Sequence, residues 1–241
     1  MRITADVEGV VFESHGDRLL GALYRPSVED RAPATILLHG VPGVEQNLDI
    51  AYALRDAGWN TLAFHYRGSW GSEGSYSVAG HADDLRAATD WLIERPSVDP
   101  SRIAVVGMSL GGYVALSGMA ADPRFVAAVA LSPMLEPLRL PLSPEIATDM
   151  ASMLRGLTGE ELARQWASCP PISTLADRLI GRPILMVVAG RDELVPPGHE
   201  ESVVKAIPTI VVRELEGEGH VFASARQPLV TTVVDWLLSV L

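Results

Sequence analysis

The sequence predicts an α/β protein with a doubly wound, mostly parallel sheet, an N-terminal β-hairpin and a short helical cap inserted late in the chain. Three observations carry this prediction. Six short, mainly apolar runs, ATILLHG, WNTLAFHY, RIAVVGMS, FVAAVALSP, PILMVVAG and TIVVRELEG, are bounded by turn residues. That pattern belongs to strands covered on both faces, as in a parallel sheet. Helical segments lie between most of them, and such alternation winds helices onto both sides of an open sheet. The interval between ALSP and RPILMVV is far longer than an ordinary connection in such folds, which marks an insertion at about 137–178.

Taken in order, the elements begin with VEGVVFES and RLLGALYRP, which flank HGD and read as a hairpin turning at His15 to Asp17. A helix is expected over roughly Gly80 to Arg95. Asp83 and Asp84 in its first turns suit the helix dipole, and Pro96 lies just beyond its end. Inside the insertion, Ile146, Met150, Met153, Leu154 and Leu157 fall on one helical face, and Thr158 followed by Glu161 reads as a capping box opening a second helix. The last helix carries an apolar stripe, Val230, Val233, Val234, Leu237, Leu238 and Leu241, which should dock on the sheet. No internal repeat, low-complexity tract or linker divides the chain, so one domain over 1–241 with an inserted cap is expected.

Composition narrows the function. The 241 residues are 48% hydrophobic, enough for a sizeable core. Nineteen basic against thirty acidic residues give a net charge of −11, which repels phosphate backbones and anionic lipid, so no nucleic-acid and no membrane partner is expected. The N-terminus MRITADVEGVVFESHGDR has no basic region followed by an apolar run, which with a lone cysteine, Cys169, points to a cytoplasmic protein. Neither CxxC nor HExxH occurs, so no metal site is expected.

The chemistry concentrates in VVGMSLGGYVAL. RIAVV delivers the chain to the carboxyl edge of the sheet, where open α/β folds bind ligands, and Gly107-Met108-Ser109-Leu110-Gly111 then matches G-x-S-x-G. A strand reversing directly into a helix crowds the flanking positions, and glycine relieves that crowding while Ser109 stands at the apex. Together with FHYRGSWGSEG and DDLRAATDWL, this stretch resembles the α/β-hydrolase superfamily, and within it small serine esterases and the catalytic domains of prolyl-oligopeptidase-type enzymes.

A serine needs a base to take its proton, and the resemblance implies the chain order serine, acid, histidine. Ser109, Asp192 in VVAGRDELVPP and His220 in LEGEGHVFA fit that order, with Glu193 as the replacement acid. His199, expected on the following helix, His81 at a helix start and His15 in the hairpin turn read as structural. For the oxyanion, the resemblance implies the backbone amides of Leu110, after the nucleophile, and Val41, in LLHGVPG; Pro42 has no amide hydrogen to give. His39 reads as a brace for that loop. RGSWGSEG lacks the GK[ST] of a phosphate loop; the resemblance implies that this loop after the fourth strand borders the site, with Arg67 and Trp70 shaping the pocket, and an ordinary surface turn remains open. Trp70, Met108, Met150 and Met153 are the candidate pocket residues, thioethers being able to fit irregular apolar groups.

What the resemblance implies is a cofactor-independent serine carboxylesterase for short- to medium-chain esters, with a small-molecule ester as its partner. A thioesterase, a serine aminopeptidase or amidase, and a non-catalytic binding protein of the same fold remain open. So does the choice between monomer and homodimer.

Overall fold

The computed structural model describes residues 6–28 and 30–241; the first five residues of the N-terminal stretch read for an export signal lie outside them. β1 (Asp6–Ser14) and β2 (Asp17–Arg25) pair antiparallel around His15 and Gly16, whose φ values are 51° and 84°. Positive φ at both turn residues matches the twist of the flanking strands.

Six strands follow: β3 (Ala32–Leu38), β4 (Asn60–Phe64), β5 (Val98–Met108), β6 (Phe125–Leu131), β7 (Ile184–Ala189) and β8 (Val211–Leu215). Their spatial order is β1-β2-β4-β3-β5-β6-β7-β8. β2 joins β4 antiparallel, and every pairing from β4 across to β8 is parallel. From β3 the chain steps outward to β4, then returns to β5 on the other side of β3. Loops leaving β3 and β5 therefore diverge at a switch point, where such sheets form a crevice.

The helices are α1 (Leu48–Asp56), α2 (His81–Ile93), α3 (Leu110–Ala121), α4 (Pro144–Ser152), α5 (Gly159–Ala167), α6 (Ala176–Leu179), α7 (Glu201–Ala206) and α8 (Arg226–Val240). Side chains of β5 alternate between two cores. Ile103 and Val105 join α2, α3 and α7 on one face, while Ala104, Val106 and Met108 join α1 and α8 on the other. Each fully buried aliphatic side chain contributes about 1.5–3 kcal/mol, which explains why these runs lack polar alternation. None of the helices among the described residues is long and apolar enough to cross a membrane.

Three expectations about local structure are corrected. TIVVRELEG is not covered on both faces, because β8 is an edge strand with Arg213 and Glu214 exposed; charges there discourage pairing with another chain. The stripe of the last helix docks as expected except at one position: Val233 and Leu237 are buried together with Leu229, and Val230, Val234 and Leu241 pack partly buried against the same core, but Leu238 is 50% exposed. In the insertion, α4 ends at Ser152 and the backbone turns through Gly156 at φ 83°, so the face read through to Leu157 is broken. Thr158 does cap α5, its hydroxyl accepting from the Glu161 amide at 3.2 Å.

Candidate active site

Ser109 joins β5 to α3 with φ 56° and ψ −120°, a conformation costing about 1–3 kcal/mol that the surroundings must hold. Its amide donates to Leu131 O at 2.9 Å, and its carbonyl accepts from Tyr113 and Met134. The neighbouring glycines have a steric cause. A Cβ on Gly107 would lie 2.0 Å from Gly111 O, and one on Gly111 would lie 2.1 Å from Leu38 O. Gly40, just after β3, also approaches closely, since a Cβ there would come 3.0 Å from that of Ser109.

The loop after β7 carries Asp192, and the loop after β8 carries His220; both side chains are buried. His220 Nδ1–H donates to Asp192 at 2.8 Å to Oδ2 and 3.0 Å to Oδ1. Oδ1 also accepts from the amides of Leu194 and Val195, at 2.9 and 2.7 Å. Burial works against the charged carboxylate, but the bond from His220 and the two amides outweigh it, holding Asp192 below the usual carboxylate range. With Nδ1 protonated and engaged, Nε2 is left as the acceptor, the state a general base requires. Glu193 points elsewhere, accepting from the His220 amide at 3.4 Å. Phe222, fully buried two residues after His220, anchors that loop in the core beneath.

Ser109 and His220 line the same cavity of about 600 Å³. Val41 and Met108 line it as well, and the insertion supplies Leu140, Leu142, Ile146, Met150 and Trp166. Leu110 buries its side chain in the core and is not among the residues that line this cavity; its backbone stands at the first position of α3, directly after Ser109. Trp70 and Met153 do not line this cavity. Trp70, 44% exposed, donates its indole N–H to Pro42 O at 2.6 Å and so props the loop that carries Val41. Met153, 47% exposed, lies just past the end of α4. Arg67 is taken up by buried Asp84, at 2.6 Å. Trp166 was not anticipated, although Leu162 and Trp166 at i and i+4 after the Thr158 cap mark a buried helix face.

Three other histidines are held in place by their neighbours. His39 Nδ1–H donates to Gly40 O at 2.7 Å, bracing the loop after β3. His81 is buried, stacked 3.9 Å from Tyr66. His199 lies in the turn before α7 rather than on a helix, and its Nε2 accepts from the amides of Leu135 and Glu136, both at 3.1 Å. This ties the segment leading into the insertion to the loop that carries Asp192.

Burial lowers the pKa of His39 to about 4 and depresses His65, His81 and His199 as well. In the unfolded chain these rings take up protons near pH ~6.5. Their contribution to stability is therefore complete above that pH and is lost as pH falls through the interval below it. Thermal unfolding followed from pH 7.5 down to 4.5 is expected to show a falling midpoint below pH ~6.5; a flat midpoint would contradict this.

Residues 46–241 match the prolyl oligopeptidase family. The chain belongs to that family. Its fold is accordingly that of the α/β-hydrolase superfamily, and the chain is built like the catalytic domain of prolyl-oligopeptidase-type enzymes. An uncharacterized protein of Mycobacterium tuberculosis is 32% identical over 204 residues, covering 82% of this chain and 66% of that relative. Dipeptidyl aminopeptidase BIII of Pseudoxanthomonas mexicana is 26% identical over 211 residues, 79% of this chain but only 30% of its own length. Among solved structures, Est1E from Butyrivibrio proteoclasticus with ferulic acid bound superposes with a TM-score of 0.80 at 22% identity, covering 96% of this chain and 98% of Est1E. That likeness is one of fold. The chain spans just under two thirds of the M. tuberculosis relative and less than a third of the peptidase.

Proposed function

We propose that this prolyl oligopeptidase family member is a serine carboxylesterase acting on short- to medium-chain esters through an acyl-enzyme. The observation that carries the reading is the Asp192-bound imidazole of His220 lining one apolar-walled cavity with Ser109. In the first step Ser109 Oγ attacks the ester carbonyl while His220 Nε2 takes its proton, and the amides of Val41 and Leu110 stabilise the oxyanion. His220 then protonates the departing alkoxide. Water, deprotonated by His220, attacks the acyl-enzyme and releases the acid with Ser109 restored. Asp192 fixes the imidazole tautomer throughout.

The cavity lies within the range of small-molecule sites, and Leu140, Leu142, Ile146, Met150 and Trp166 give it an apolar wall suited to an acyl or aromatic group. The fold shared with Est1E, a protein solved with ferulic acid bound, supports an organic-acid ester. Similarity to a dipeptidyl aminopeptidase favours amide cleavage as the second reading. A panel of p-nitrophenyl esters of increasing acyl length, acyl thioesters and aminoacyl anilides decides between them. Esters are expected to have the highest kcat/KM, declining once the acyl chain outgrows the cavity. Faster turnover of the anilides would replace the esterase reading by the peptidase one.

A further inference from the structure

Arg226 opens α8, where a cation faces the positive end of the helix dipole. Its position therefore does nothing for the helix itself. Its guanidinium is instead divided among three partners. Nε and Nη2 donate to the two oxygens of Asp49 at 2.8 and 2.5 Å, Nη2 also reaches Asn47 Oδ1 at 3.0 Å, and Nη1 donates to the carbonyl of Val221 at 3.1 Å. Val221 is the residue after His220. Asn47 and Asp49 lie where the loop after β3, the one carrying Val41, enters α1. Buried Asn47 is held at φ 55°, and its amide Nδ2 lies 3.4 Å from the sulfur of Met108, the residue before Ser109.

One planar group thus joins the histidine loop to the loop after β3, and through Asn47 to the nucleophile turn. We infer that Arg226 is a positioning residue that sets the spacing of His220, Val41 and Ser109 by clamping these three segments to one guanidinium. The inference rests on the acyl-transfer reading above. A fork of fixed geometry can hold a carboxylate and a carbonyl in one plane, which a lysine ammonium cannot reproduce.

The test uses the full chain and two readouts: the rate of fluorophosphonate labelling at Ser109, and kcat and KM on p-nitrophenyl butyrate. Arg226→Ala is expected to lower labelling rate and kcat by about ten- to a hundredfold, with a smaller change in KM. Millimolar guanidinium ion should restore part of the rate, and Arg226→Lys should not. Folded Arg226→Ala labelled at the wild-type rate would overturn the inference, as would a rate loss that guanidinium leaves unchanged. Should Arg226→Ala fail to fold, Asp49→Asn decides: it keeps the guanidinium but removes its charged partner, and a wild-type labelling rate in that variant would also overturn the inference. Absence of labelling in the wild type would defeat the acyl-transfer reading and this one together, whereas a labelled wild type with unaffected variants would defeat this one alone.

Discussion

Ser109→Ala is expected to lower kcat on p-nitrophenyl esters by about 10⁴- to 10⁶-fold, while the protein stays folded. Only the hydroxyl oxygen is removed, and Ser109 carries the only hydroxyl or thiol among the described residues that line the cavity. Stability separates this variant from a second one. At φ 56° and ψ −120°, alanine keeps the Cβ and with it the strain, so its thermal midpoint should stay close to that of wild type. Ser109→Gly loses the same activity but also relieves the strained position, so it should melt higher than the alanine variant. Steady-state kinetics with thermal unfolding checks both. Residual turnover above a hundredth of wild type in Ser109→Ala would remove the serine from the mechanism.

The second large effect is expected at Asp192. In Asp192→Asn, the side-chain carbonyl can keep the bonds from the Leu194 and Val195 amides at the Oδ1 position, which turns the new NH2 toward His220 Nδ1 at the Oδ2 position. A donor there forces the imidazole to carry its proton on Nε2, where it cannot accept the serine proton. The loss in kcat should be about 10⁴-fold, with KM moving far less. Glu193→Gln should remain within a few-fold of wild type, since Glu193 meets the His220 backbone rather than its ring. The reverse pattern would make Glu193 the acid. The same measurements across pH should leave a small residual rate in Asp192→Asn that rises with hydroxide.

How much of this was legible in the sequence depended on how local its cause is. The turn at Ser109 could be read because its constraints are set within a few residues: only glycine fits at 107 and 111, against carbonyl oxygens at close range. The hairpin at His15–Gly16 and the Thr158 cap were readable for the same reason. The parallel strands were readable because both of their faces meet helices. β8 misled because an edge position depends on what lies beside a strand, not on its own composition. The stripe on α8 was wide enough to admit several docking faces, and packing against β6, β7 and α1 selected the one through Leu229, Val233 and Leu237.

The pocket was the least legible part. Met108 and Met150 line the cavity, whereas Trp70 and Met153 do not, and nothing in their local sequence separates the two pairs. The difference lies in where α4 stops and in the indole bond to Pro42, both settled by tertiary contacts. Arg226 meets Asp49 across 177 residues of chain, a separation at which periodicity and spacing carry no information. The one available hint was a cation in the first turn of a helix, where the dipole disfavours it.

The central claim is that a single hydroxyl, strained at the strand-to-helix turn and served by His220, performs the chemistry. Intact-mass and peptide mass spectrometry after fluorophosphonate treatment tests it most directly. One adduct per chain is expected, on Ser109, with labelling slowed in Asp192→Asn. An adduct on any other residue, or none at all on folded protein, would contradict it.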